Sequence, residues 1–441
     1  MRKVAKDGSD REGFDATLDA LAREGARRMI AAALEAEVDA YVEGLRGERG
    51  EDGRAAVVRN GRARARQVTI GSGTVTIEAP RVNDKRVIDG QRQRFTSTIL
   101  PPYLRRSKNV SEVLPLLYLR GLSTGDFREV LPTLLGENAS GLSPSAITRL
   151  VSVWSEEQAA WKKRSLADRD YVYVWADGVH FNVRLEDDRV AVLVVMGARL
   201  DGTKEVIAIE DGFRESKESW LSVLRDLRDR EMQAPVVAVG DGALGFWGAL
   251  REVFPTTLEQ RCWVHKIVNV LDKVPKAIQP KVKSSLHEIM NAPTRKDAKK
   301  AIKVFVRDFG AKYPKAAECI TKDEDALLTY FDFPAEHWKH LRTTNPIEST
   351  FATVRLRTRV TKGPGSRTAG LAMVFKLLLA AEKTWRKLNG HELVPLVRAG
   401  VKFIDGVRVE REAGDSPPSM KADVAKVKSR AKKAQSAKVA A

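Results

Sequence analysis

Only two cysteines, Cys262 and Cys319, occur in 441 residues. No disulfide framework can hold the chain, and a reducing cytoplasm is the expected compartment. No uninterrupted apolar run reaches the ~18 residues that suggest a membrane span. The longest candidate, LAMVFKLLLAA, is short and carries Lys376. The start, MRKVAKDGSD, lacks the apolar stretch of a signal peptide. Acid is also in deficit: 58 Asp+Glu stand against 76 Lys+Arg, a formal charge of +18. That excess favours a polyanionic partner, nucleic acid first and a membrane surface second. Apolar content of 43% and charged content of 30% fit a globular protein. The length allows roughly two to four domains.

Helical spacing of Leu18, Leu21, Ile30, Leu34, Val38 and Tyr41 predicts a long helix over about 14–45. One helix cannot bury such a stripe alone, so it packs on this chain or on a second copy. The basic stretch RNGRARAR follows, then QVTIGSGTVTIEAP, two alternating runs around Gly71-Ser72-Gly73 that read as a hairpin. From Val110 to Trp154 short helices are expected, one ended by Gly121, one capped by Ser123, one opened by Ser143-Pro144. This resembles a helix-turn-helix with Arg149 on its last helix, although a plain three-helix core explains the pattern equally well.

Three strand runs follow, YVYVWADGVHFNVR, RVAVLVVMGARL and KEVIAIEDGF, with turns at Glu186–Asp188 and Asp201-Gly202. A helix, KESWLSVLRDLRDR, and a buried-type strand, PVVAVGD, complete the strand-strand-strand-helix-strand order of a ribonuclease H-like fold. Residues 265–335 read as a helical insertion, broken at Pro275, Pro280, Pro293 and Pro314. Helices resume from Pro346 and end near Phe403; the Lys- and Ala-rich tail after Gly406 has the composition of disorder.

Three acidic residues stand out. Asp177 interrupts an apolar run, Asp241 ends another, and Glu348 lies in TTNPIEST; the separations are 241 − 177 = 64 and 348 − 241 = 107 residues. Three carboxylates on the core of one α/β domain can hold two divalent ions, which activate a water or hydroxyl and stabilise the leaving oxygen of a phosphodiester. Each has a bland alternative. Asp177-Gly178 has the signature of a hairpin turn, and Asp241 could cap a helix. Asn345-Pro346-Ile347-Glu348 reads as a capping box with Asn345 as the cap. Cys262 and His265 form a Cys-x-x-His pair. Zinc shared with His337 and His340 would need an intervening stretch far longer than compact zinc modules use. In FATVRLRTRVTKGPG, Arg355 and Arg359 share a helical face and Arg357 points elsewhere. With Lys362 they suit a phosphate backbone, against the alternative of a solvated face.

At DGVHFNVR, VGDGALGF, QRCWVHK and TTNPIESTFATVRLRT the chain resembles the Mutator-like family of bacterial DDE transposases, over roughly Glu35 to Phe403. PPYLRRSK and LRGLSTGDFREVL resemble that family's DNA-binding region. The resemblance implies a ribonuclease H-like catalytic domain with Asp177, Asp241 and Glu348 as the acidic triad. It also implies Mg²⁺ or Mn²⁺ as two ions per active site, and terminal inverted repeats and target DNA as double-stranded partners. A homodimer or higher assembly on DNA is expected, and no membrane. Cys262 and His265 are then expected to support the active site or touch DNA.

The expected organisation is multidomain α/β. It comprises a helical region over 1–60 with dimerisation as its candidate role, a basic stretch and hairpin over 61–100, and a helix-turn-helix-like DNA-binding domain over 101–165. The catalytic domain covers 166–264 and 336–405 around the all-α insertion 265–335, and 406–441 is a basic tail. A nuclease that cuts without joining is the rival enzyme, and a DNA-binding regulator with a dead catalytic domain is the rival without activity.

Overall fold

The computed structural model describes residues 18–50, 53–122, 126–135, 139, 143–183, 189–212, 216–242, 244–361 and 363–409. Ser123, the Glu186–Asp188 turn, Lys362 and the tail from 410 lie outside the described residues.

Helix α1 spans Leu18–Gly44. Strands β1 (Val57–Arg62), β2 (Arg66–Ile70), β3 (Gly73–Ile77) and β4 (Pro80–Asp84) follow, with short strands β5 (Val87–Ile88) and β6 (Gln91–Arg92) paired beyond them. The expected hairpin is β2–β3, turning at Gly71-Ser72, while β1 pairs antiparallel with β4. Leu34 of α1 packs with Val68, Val75, Ile77 and Leu100 in a small separate core. Glu35 and Asp39 on α1 receive Arg59, and Glu35 also receives Arg62. The apolar stripe of α1 therefore docks on its own chain only in its second half. Leu18 and Met29 in the first half are 82% and 68% exposed.

Helices α2 (Lys108–Leu119) and α3 (Asp126–Leu135) close around Val110, Leu114, Phe127 and Leu131, and α4 (Pro144–Lys162) follows. Gly121 stops α2 as expected: its φ is +124°, Leu122 N donates to Leu117 O and Gly121 N to Tyr118 O. These two bonds satisfy the last carbonyls of the helix. Ser143 caps α4, accepting from Ala146 N at 3.2 Å. However, α4 continues eight residues beyond Trp154. Trp161 meets Phe375 edge-on at 5.4 Å, and Trp154 is buried in the main core. Helix α4 thus packs on the main core rather than on the small core of α2 and α3.

The central sheet has the order β11-β10-β7-β8-β9. Strands β7 (Tyr171–Asn182), β8 (Arg189–Arg199) and β9 (Lys204–Gly212) meander antiparallel. Helix α5 (Lys217–Asp229) leads to β10 (Val237–Gly240), parallel to β7. Helix α6 (Leu244–Val253) then leads to β11 (Leu258–Arg261), parallel to β10. The strand-strand-strand-helix-strand order is the expected one. The fifth strand was not, because LEQR has no run of β-branched residues to mark it. One sheet face buries Trp220, Leu224 and Leu227 of α5 and Phe246 and Trp247 of α6.

The other face is covered by α13 (Asn345–Val360) and α14 (Arg367–Glu382), whose Phe351, Val354 and Phe375 belong to the larger core. Between β11 and α13 lie α7 (Trp263–Leu271), α8 (Gln279–Met290), α9 (Arg295–Phe309), α10 (Pro314–Thr321), α11 (Glu324–Leu328) and α12 (Trp338–Leu341). Their Val282, Leu286, Ile302 and Phe305 extend that same core. After α15 (Val394–Arg398), β12 (Phe403–Ile404) pairs with β13 (Val407–Arg408), so three residues counted with the tail belong to a closing hairpin.

Candidate active site

Side-chain alternation along the strands selects one face of the sheet for the acidic residues. In β7, Tyr173 and Trp175 enter the core beneath α13, whereas Val174 and Ala176 enter the core beneath α5 and α6. The period of two assigns Asp177 to the α13 face. In β10, Val237 and Val239 share that face, so Asp241, one step past Gly240, returns to it. Gly240 pairs with Ala176, which sets Asp241 beside Asp177 at the C-terminal end of β10. The strand runs straight through Asp177-Gly178 in a 12-residue element, so the hairpin-turn alternative is wrong. Asp177 is only 9% exposed, and its Oδ1 accepts from Gly178 N at 2.8 Å. The Asp241 carbonyl is pinned by Trp247 Nε1 at 2.7 Å and by Arg261 at 3.0 Å.

Glu348 sits in the first turn of α13. The capping box is not formed: Thr344, not Asn345, is the cap, and its side chain bonds no helix amide. Its hydroxyl instead donates to Glu348 Oε1 at 2.8 Å. His265 Nε2 lies 3.5 Å from the same Oε1, and donor atoms of Cys262, His265 and Glu348 all lie within 4.8 Å of one another.

The contact with Cys262, opposed by burial and aided by the charges of Asp241 and Asp177, lifts the His265 pKa to about 9. His265 Nδ1 is buried without a partner at full hydrogen-bond geometry, so the thiol contact is loose. Asp241 and Asp177 add smaller contributions of the same sign, and Glu348 is the carboxylate in contact with the imidazole.

His337 and His340 are engaged elsewhere. Tyr173 OH meets His337 Nδ1 at 2.8 Å and the Gly390 carbonyl meets its Nε2 at 2.8 Å. Burial pushes the His340 pKa down to about 4, and its Nε2 accepts from Asn389 N. Neither joins the Cys262–His265 pair.

Arg355 and Arg359 are exposed on α13, with the Arg355 guanidinium 5.9 Å over Phe351. Arg357 turns inward, is 4% exposed and stacks 4.8 Å over Tyr118 of α2. Arg149 is exposed on α4. Arg261 and Thr344 escaped the sequence reading, because an arginine and a threonine beside a motif carry no pattern of their own.

The sequence model of the Mutator family of transposases matches residues 5–387, beginning well before the quoted motifs. The transposase for insertion sequence element IS6120 of Mycolicibacterium smegmatis is 57% identical over 314 residues, 71% of this chain and 97% of that protein. The transposase for IST2 of Acidithiobacillus ferrooxidans is 50% identical over 288 residues, 64% of this chain and 95% of that protein. The transposase for ISRM5 of Rhizobium meliloti is 26% identical over 380 residues, 84% of this chain and 89% of that protein.

Proposed function

This chain belongs to the Mutator family of transposases, and from that premise we propose that Asp177, Asp241 and Glu348 form its metal-dependent DNA-cutting centre within a ribonuclease H-like domain. The observation that carries the proposal is the register: Gly240 opposite Ala176 brings two carboxylates side by side on the face roofed by α13. The residues fit a hard divalent cation. All three donors are carboxylate oxygens. After its contact with Cys262, the charges of Asp241 and Asp177 add to the lift of the His265 pKa.

Asp177, Asp241 and Glu348 would hold two ions, Mg²⁺ or Mn²⁺. When bound, these supply Lewis-acid activation of the attacking oxygen and stabilisation of the leaving oxygen. The chain itself does the positioning. Strands β7 and β10 fix two carboxylates on a rigid sheet, and the first turn of α13 brings the third. Arg355 and Arg359, about two and three turns further along, receive the DNA backbone, with Lys362 beyond them in sequence. One strand is cut at each element end, and the freed 3′ hydroxyl then attacks a second phosphodiester in the same site.

The terminal inverted repeats are read by residues 101–165, with Arg149 at the contact. The protein acts in the cytoplasm as a homodimer or larger assembly on DNA, and the exposed first half of α1 supports self-association. Among the described residues no helix is long and apolar enough to cross a membrane.

Alanine at Asp177, Asp241 or Glu348 is expected to abolish cleavage while leaving binding to the element ends intact. Substantial Mg²⁺-dependent cleavage by Glu348→Ala would reject the assignment. A strand-transfer assay separates the joining reaction from a nuclease that only cuts and from a regulator that does neither.

A further inference from the structure

We propose that Thr344 is a positioning residue for Glu348, and that Cys262 fixes Thr344 to the strand that carries Asp241. The inference rests on the reading of Glu348 as a metal ligand.

Thr344 is wholly buried, so its hydroxyl needs a partner. As the residue preceding α13 it is placed to cap the helix, yet its side chain bonds no helix amide; its backbone carbonyl instead accepts from Ile347 N and Glu348 N. The hydroxyl has two neighbours, Glu348 Oε1 at 2.8 Å and Cys262 Sγ at 3.3 Å. It has one proton to give. The carboxylate is nearer and the far stronger acceptor, so the proton points at Glu348. The thiol, a weak donor, is then left to face the hydroxyl oxygen. Thr344 N also donates to Cys262 Sγ at 3.3 Å.

The other end of this chain of contacts is anchored. Cys262 N donates to Gly240 O at 2.8 Å, and Gly240 immediately precedes Asp241. Trp263 N donates to Arg342 O at 2.9 Å, tying the same corner to the segment leading into α13. A continuous path therefore runs from the backbone beside Asp241, through Cys262 and Thr344, to the carboxylate of Glu348. Asp241 and Glu348 are 107 residues apart in sequence (348 − 241), and this path fixes their separation. Its contribution is preorganisation: a glutamate side chain otherwise has three torsions to freeze when a cation arrives.

The test is Mn²⁺ binding to the full chain by electron paramagnetic resonance, alongside the metal dependence of end cleavage. Thr344→Val, which keeps the shape and removes the donor, is expected to weaken Mn²⁺ binding about tenfold and to raise the metal needed for half-maximal cleavage equally. Affinity for end DNA should not change. Thr344→Ser, which keeps the donor, should restore the metal affinity. In a Glu348→Gln background, Thr344→Val should add no further loss.

Wild-type Mn²⁺ affinity in Thr344→Val, or a loss that adds fully to that of Glu348→Gln, overturns the inference. If Thr344→Val does not fold, Thr344→Ala is read by the same criteria. Glu348→Gln binding Mn²⁺ like wild type would instead remove the underlying reading of Glu348.

Discussion

Three arginines on α13 differ only in which way the helix turns them. Arg357 faces inward onto Tyr118, while Arg355 and Arg359 face solvent. The spacing of two residues, a rotation of about 200°, was enough to separate them from sequence. It could not reveal that the inward arginine stacks on an aromatic ring 239 positions away (357 − 118). Phosphate contact by Arg355 or Arg359 has a measurable signature. Alanine at either position should weaken binding to every duplex, specific or not, because phosphates carry no sequence. The log–log salt slope of binding should fall by about 0.9 for each contact removed. An unchanged slope for Arg355→Ala would mean that this face is merely solvated. Legibility at this scale followed chemistry: a carboxylate inside an apolar run is conspicuous because burial is costly. Thr344 and Arg261 are ordinary in sequence and become informative only through their partners.

Elements were legible where periodicity was strong. The meander, α5 and β10 each have an unambiguous period, and the hairpin at Gly71-Ser72 has its turn chemistry. The element that misled was α4. Its start was correct because Ser143-Pro144 has a local cause, but its end has a tertiary one. Trp154 enters the main core, and Trp161 leans on Phe375 of α14. Lys376 of α14 also reaches Glu157 at 2.6 Å. A fragment ending near Trp161 would expose that whole inner face, so end recognition by residues 101–165 is better tested in the intact chain. The outer face of α4 carries Arg149. If α4 enters the major groove, Arg149→Ala should lower the preference for terminal repeats over random duplex by roughly 1–3 kcal/mol, when one good base contact is lost. Competition binding measures this. An equal loss on both duplexes would make Arg149 a backbone contact, and no loss would move recognition elsewhere.

At the scale of the molecule, charge and composition foretold a polyanionic partner and several units, but not how unequally those units are held. The sheet and its helices share two large cores, whereas α1 and its hairpins close over a small cluster of Leu34, Val68, Val75, Ile77 and Leu100. Polar clamps supplement that small core. Asp84 at the end of β4 accepts from Tyr41 OH of α1 at 2.7 Å and from Arg86 at 2.8 Å. The Arg86 guanidinium holds the Asp84 pKa at about 2, against burial. For Glu37 burial acts upward, yet hydrogen bonds from Ser97 and Thr98 bring its pKa below the usual range. Both carboxylates are thus stronger acids folded than unfolded. Their stabilisation is fully present above about pH 5 and is lost as pH falls through the folded value, which for Asp84 means between about pH 4 and 2. Allowing for solvent screening, Asp84 contributes on the order of 1–2 kcal/mol. On acid titration the amides of α1 and β1–β4 should therefore lose hydrogen-exchange protection before those of β7–β10. Asp84→Asn removes the titrating group, so protection in α1 should be weaker at neutral pH and should change less between pH 4 and 2. Simultaneous loss of protection in both regions, or an unaltered acid response in Asp84→Asn, would show that this clamp does not set the stability of the N-terminal unit.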